Sequence, residues 1–273
     1  MSLHVEVTGQ GAPLVMLHGW GMHGGIWGDA VVQLAESFTV HNVDLPGHGF
    51  SAGKREEGRE GLGERVTFPL PTSPFSLDTI VSELSVRFTK PVNVLGWSLG
   101  GLIAQHWAAR EPEKVRRLVL AASTPCFAAR DDWPHGVPLA TLQQFAAELG
   151  KNHAATLRRF LALQLRGSEN ERELLSLLRD KLFSRGAPQP AALRAGLDIL
   201  RDTDLRALLP GIVQPALVIA GERDKLTPPE ASRYLVQVMQ AARMVEITGA
   251  AHVPFLSHAE IFVRHVKDFL KND

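Results

Sequence analysis

The stretch V-L-G-W-S-L-G-G, residues 94 to 101, constrains this chain more than any other. An apolar run reaches Gly96, a single serine follows, and Leu99-Gly100-Gly101 opens a helical pattern at once. A strand that becomes a helix this abruptly bends its backbone too sharply for side chains on either flank, which is why small residues crowd the bend. Ser98 is then held out at the carboxyl edge of the strand, with the following amide pointing the same way. Residues 96–100 match G-x-S-x-G in the strand–turn–helix context that a nucleophilic serine requires.

The rest of the chain repeats that alternation. L-H-V-E-V (3–7) alternates in polarity and reads as an antiparallel or edge strand. P-L-V-M-L (13–17) is continuously apolar, as expected of a strand covered on both faces. Strand runs follow at 38–44, 91–95, 115–122, 215–220 and 243–248. Helical patterns lie between them. Behind Ser76, residues Leu77, Ile80, Val81 and Leu84 share a face, and an amphipathic helix from about His258 closes the chain. In T-P-P-E (227–230) the spacing predicts a capping box, with Thr227 as cap and Glu230 reaching back. Strand and helix in turn predict an α/β fold, a mostly parallel sheet flanked by helices.

Two segments break the rhythm. Residues 52–75 are rich in Gly, Pro and charge and read as a long loop. Residues 124–210 are helix-like throughout, which predicts a helical lid inserted into a core made of 1–123 and 211–273. With 273 residues, 45% hydrophobic, the chain can bury a large core. Its 29 basic and 29 acidic residues cancel, which excludes a chain-wide field for nucleic acid or membrane. One cysteine, Cys126, permits no internal disulfide and fits a reducing, cytoplasmic setting. No signal peptide and no run long enough to span a bilayer is visible. A monomer is expected.

A serine hydroxyl attacks only when a base takes its proton. His252, in G-A-A-H-V-P after the run at 243–248, fits the base; Asp224, in G-E-R-D-K after 215–220, fits the acid that orients it. The order Ser98, Asp224, His252 is that of an acyl-transfer triad on a parallel sheet. Glu222 is the rival acid. Attack puts negative charge on the substrate oxygen, and two backbone amides should meet it. Leu99 supplies one; the loop L-H-G-W-G-M (17–22) supplies the other, through the Trp20 amide. No Cys/His cluster or phosphate loop points to a metal or cofactor, and none is expected.

Taken together, H-G-W (18–20), D-L-P-G-H-G (44–49), G-W-S-L-G-G (96–101), G-E-R-D (221–224) and G-A-A-H (249–252) resemble the α/β-hydrolase superfamily over essentially the whole chain. Within it, S-T-P-C-F-A-A-R-D-D-W-P (123–134), R-F-L-A-L-Q (159–164), G-L-D-I-L-R-D-T-D-L-R (196–206) and A-H-V-P-F-L-S-H (251–258) look like the pimeloyl-[acyl-carrier protein] methyl ester esterases of biotin synthesis. That resemblance implies hydrolysis of a methyl ester carried on acyl carrier protein, with release of methanol. It also implies a substrate site lined by Trp20, Ser98, Leu99, Phe160, Leu161, Ala162, Leu163, Gln164 and His252. The 52–75 loop looks longer than the family's usual segment.

Helical spacing agrees in part. At about 100° per residue, Leu157, Phe160, Leu161 and Gln164 share one face, suited to an acyl chain with Gln164 as its polar contact. Gln164 would equally serve as an ordinary polar residue at a helix boundary. Lys151, Arg158, Arg159 and Arg166 gather roughly opposite. Arg158, Arg159 and Arg166 are candidates for docking an acidic carrier protein, although such a face also serves simply to solvate a helix. The alternatives are another hydrolase with the same triad, such as a C–C bond hydrolase or lactonase, or a binding protein on this fold. Serine in place of aspartate at position 98 disfavours a haloalkane dehalogenase.

Overall fold

A computed structural model describes residues 3–52 and 75–271. Among the described residues, seven strands form one sheet: β1 (His4–Thr8), β2 (Ala12–Leu17), β3 (Phe38–Asp44), β4 (Val92–Trp97), β5 (Val115–Ala121), β6 (Ala216–Gly221) and β7 (Ala242–Ile247). Their spatial order is β1-β3-β2-β4-β5-β6-β7. Among these strands only β1 runs antiparallel, against β3 at the sheet edge, as its alternating polarity predicts. The remaining neighbours are parallel, and β4 and β6 are buried at every position, as expected of strands covered on both faces, although β4 carries the polar Asn93.

The helices are α1 (Asp29–Ala35), α2 (Leu77–Arg87), α3 (Leu99–Arg110), α4 (Leu139–Leu149), α5 (His153–Leu165), α6 (Glu171–Leu182), α7 (Pro190–Asp202), α8 (Pro229–Val238), α9 (Pro254–Ser257) and α10 (Ala259–Lys271). α2 starts where the sequence places it, with the Ser76 hydroxyl accepting from the Thr79 amide. α10 buries Phe262, Val263, Val266, Phe269 and Leu270 along one stripe. α3 is buried at nine of its twelve positions, because it runs from the sheet's centre. The described part of the 52–75 segment is its two ends; the expectation of a loop at 53–74 lies outside the described residues.

The helix after Thr227 corrects the expected cap. α8 begins at Pro229 with Pro228 in the cap position, and no side chain caps it. Pro228 has no side-chain oxygen to offer, so the cap position carries no acceptor for the first-turn amides. The Thr227 hydroxyl bonds to Asp224 instead.

Between β5 and β6, the described residues add no strand to the sheet. They supply α4, α5, α6 and α7, with isolated bridges such as Cys126 to Asp204 at the neck of the segment. These helices share one hydrophobic core with the sheet: Leu157, Phe160, Leu178 and Leu193 join the cluster containing Leu17, Trp97 and Leu120. Arg185, following α6, adds a polar tie. Its guanidinium bonds to Glu6 at 2.6 Å and to the buried Asp44 at 3.3 Å, and lies over the Phe50 ring.

Candidate active site

Four loops that leave the carboxyl ends of parallel strands meet at one place, where open α/β sheets put their ligands. The sharpest follows β4. Ser98 has φ 56° and ψ −119°, a conformation that non-glycine residues rarely adopt. Its amide donates to the Ala121 carbonyl at 3.0 Å, which holds the bend against β5. The flanking glycines are sterically required. A Cβ on Gly96 would strike the Gly100 carbonyl, and one on Gly100 would strike the Leu17 carbonyl. A Cβ on Gly101 would fall 2.5 Å from the Ser123 side chain.

His252 lies after β7 and Asp224 after β6, and both side chains converge on Ser98. His252 Nε2 is 2.9 Å from Ser98 Oγ, and His252 Nδ1 is 2.8 Å from Asp224 Oδ2. A carboxylate only accepts, so Nδ1 carries the ring proton and Nε2 is left to accept from the serine hydroxyl. Ser98, Asp224 and His252 are each at most 4% exposed. Asp224 Oδ1 accepts from the amides of Leu226 and Thr227 at 2.8 and 3.0 Å. Glu222, the rival acid, turns away: its carboxylate accepts from the Gly249 amide at 2.9 Å.

The main chain of His252 is pinned as firmly as its ring. Its amide donates to the Gln164 carbonyl at 3.1 Å, and its carbonyl accepts from Trp97 Nε1 at 2.7 Å. Sequence reasoning missed this second role of the elbow. Trp97 occupies the free position of the serine motif, and only tertiary contact brings its indole to a residue 155 positions away. Thr227 was missed as a partner of Asp224 because the two prolines after it read as a helix start.

After β2, His18 Nε2 accepts from the Leu45 amide at 2.9 Å, so its Nδ1 donates to the Gly19 carbonyl at 2.8 Å. Burial, reinforced by nearby His48, pushes the His18 imidazole down to about 3, so it stays neutral and ties this loop to β3. Gly19 lies against the elbow: a Cβ there would come within 3.2 Å of the Ser98 Cβ. The next amide is that of Trp20. Leu99, the first residue of α3, has an amide with no intrahelical acceptor. These are the two amides that the sequence singles out as oxyanion donors. The Trp20 indole is buried, donates to the Leu193 carbonyl of α7 at 2.8 Å and meets the Phe160 ring edge-on at 4.8 Å.

On α5, Leu157, Phe160, Leu161 and Gln164 are buried on the predicted face. Gln164 Oε1 has no partner among the described residues, beside the base to which its own carbonyl is bonded. Leu163 packs partly against the core; by helical spacing Ala162 sits off this face. The three arginines separate. Arg159 pairs with Glu148 at 2.7 Å. Arg158 lies over the Phe183 ring and lines, with Arg179, Leu182 and Phe183, a cleft of about 290 Å³. Arg166 is exposed just past the end of α5.

The α/β-hydrolase fold family matches residues 12–259 of the chain. A pimeloyl-[acyl-carrier protein] methyl ester esterase of Chromobacterium violaceum is 43% identical over 272 residues, 99% of each chain. The protein of that name from Nitrosomonas europaea is also 43% identical, covering 96% of this chain and 97% of its own. Among solved structures, an esterase from Exiguobacterium antarcticum superposes with a TM-score of 0.83 at 23% identity, over 99% of this chain and 96% of that one. An enol-lactonase from Burkholderia xenovorans superposes at 0.77 and 24% identity, covering 99% and 96%; at these identities the likeness is one of fold.

Proposed function

The chain belongs to the α/β-hydrolase family and, within it, to the pimeloyl-[acyl-carrier protein] methyl ester esterases, and from that membership we propose that it hydrolyses the methyl ester of pimeloyl-[acyl-carrier protein] to the free acid and methanol. Short-chain esters are substrates of the same chemistry. The observation that carries the reading is the continuous relay from Ser98 Oγ through His252 to Asp224, with contacts of 2.9 and 2.8 Å.

In this reading Ser98 Oγ attacks the ester carbonyl as His252 Nε2 takes its proton. Asp224 holds the ring and stabilises the imidazolium that forms. The Leu99 and Trp20 amides receive the oxyanion, each such donor being worth about 10²–10³ in rate. The tetrahedral intermediate collapses, His252 returns the proton to the departing methoxide, and methanol leaves. Water, deprotonated by His252, then attacks the acyl-enzyme, and Ser98 is regenerated. The segment 124–210 acts as a lid over the core of 1–123 and 211–273. The stretch Phe160, Leu161, Ala162, Leu163 and Gln164 lines the acyl chain. Among the described residues Arg158 and Arg166 have no ion-pair partner and are the ones offered to an acidic carrier; Arg159, already paired with Glu148, contributes less. One cysteine and no membrane-crossing helix among the described residues fit a cytoplasmic setting.

The test is methanol release from the carrier-bound methyl ester, alongside hydrolysis of p-nitrophenyl esters, by the protein and by Ser98→Ala. Both activities should vanish in the variant while its circular dichroism is unchanged. Turnover retained by Ser98→Ala would remove the nucleophile, and hydrolysis of small esters without the carrier-bound one would remove the proposed substrate.

A further inference from the structure

We propose that Thr227 is a positioning residue of the reaction, one whose hydroxyl locks the carboxylate of Asp224 while His252 gains and loses a proton; this rests on the reading of Ser98, His252 and Asp224 as the catalytic set. Thr227 is fully buried and touches both oxygens of the acid. Its amide donates to Asp224 Oδ1 at 3.0 Å and its hydroxyl donates to Oδ2 at 2.6 Å. Oδ2 is the same atom that faces His252 Nδ1 at 2.8 Å. Thr227 Oγ1 itself lies 3.3 Å from Nδ1. With its proton given to the acid, Oγ1 offers a lone pair to the ring N–H, so the imidazole proton sits between two acceptors and its tautomer is doubly specified.

The chemistry gives this contact a task. An Asp carboxylate turns freely about its last bond unless something holds it. Two amides hold Oδ1, but the atom that must track the imidazole is Oδ2, and the imidazole alone is a poor anchor because it becomes charged and neutral again twice in each turnover. The Thr227 hydroxyl is a donor whose charge never changes. Because it is buried, water does not replace it when it is removed. Capping of α8 offers no competing explanation, since Pro228 holds the cap position and the hydroxyl faces the acid.

The experiment compares Thr227→Val, which keeps the shape without the hydroxyl, with Thr227→Ser, which restores it. Hydrolysis of p-nitrophenyl butyrate is measured, with rates referred to sites titrated by a fluorophosphonate, so that unfolded protein does not count. Loss of a hydrogen bond to a charged acceptor should lower kcat in Thr227→Val by about 10- to 100-fold. KM should be unchanged, because the contacts of the Thr227 hydroxyl are with Asp224 and His252. Serine should recover most of the rate. The far-downfield N–H resonance of His252 should shift in the valine variant and return in the serine one. A valine variant with the parent kcat per site, or a serine variant as slow as valine, overturns the proposal. Ser98→Ala, run in parallel, separates the failures. If it retains turnover the site reading itself falls; if it is inactive while Thr227→Val is fully active, only the role of Thr227 falls.

Discussion

Ser98 carries a backbone conformation that costs on the order of 1–3 kcal/mol, and the residues around it exist to hold it there. Gly100 is the most exposed to test. Its missing side chain lets the first turn of α3 lie on the Leu17 and His18 carbonyls, at the root of the loop that carries Trp20. Backbone atoms cannot swing aside as a side chain can. Gly100→Ala is therefore expected to lower stability by about 1–3 kcal/mol or more, although alanine favours helix. It should also cut kcat by pushing the Trp20 loop away from the elbow. Urea unfolding and ester kinetics check both halves, and a variant at least as stable as the parent would refute the close contact. The glycines were legible in the sequence because a bend this tight admits little else. The Trp97 bond to His252 was not, since any residue type satisfies that position of the motif.

At the level of single elements, α5 and α7 do more than cover the sheet. α5 holds the His252 amide through Gln164, and α7 holds the Trp20 indole through Leu193. Gly196 sits inside α7 and allows the second contact: a Cβ there would lie 2.6 Å from Trp20 Cδ1. Glycine in a helix interior is unfavourable by about 1 kcal/mol relative to alanine, so Gly196→Ala should strengthen α7 in isolation. In the folded chain it should displace Trp20 and, with it, the amide proposed to receive the oxyanion. The expected outcome is kcat reduced about tenfold or more, the order expected for impairing one oxyanion donor, with altered tryptophan fluorescence and a melting temperature within a few degrees of the parent. Unchanged kcat would mean that α7 and the oxyanion loop are uncoupled. The sequence placed G-L-D-I-L-R on a helix, but periodicity does not say what a helix face rests on.

Over the whole molecule, burial disfavours the charged form of several histidines. It pushes His18 down to about 3 and His48 to about 4, and lowers His23 and His41 as well. In the unfolded chain each takes up a proton below about pH 6.5. Unfolding therefore binds protons in acid. The stability that these groups confer is complete above about pH 6.5 and is lost as pH falls toward 4 and 3. His18 and His48 together should make stability rise with pH below about pH 6, by on the order of a kcal/mol per pH unit. Urea midpoints at pH 7, 6 and 5 should fall in that order; equal midpoints at 7 and 5 would show that these rings are not held neutral.

The residue order alone determined the strand and helix alternation, the elbow, and the order of nucleophile, acid and base. Each of these is local: an apolar run, a bend that admits only small residues, a polar residue just past a strand. Tertiary structure alone decided which partners those residues keep. It sent Glu222 to the Gly249 amide, paired Arg159 with Glu148, and turned the Thr227 hydroxyl from a helix cap to the carboxylate of Asp224. Such choices depend on which groups burial brings within about 3 Å. That distance is set by the packing of segments far apart in the chain, on which local pattern is silent.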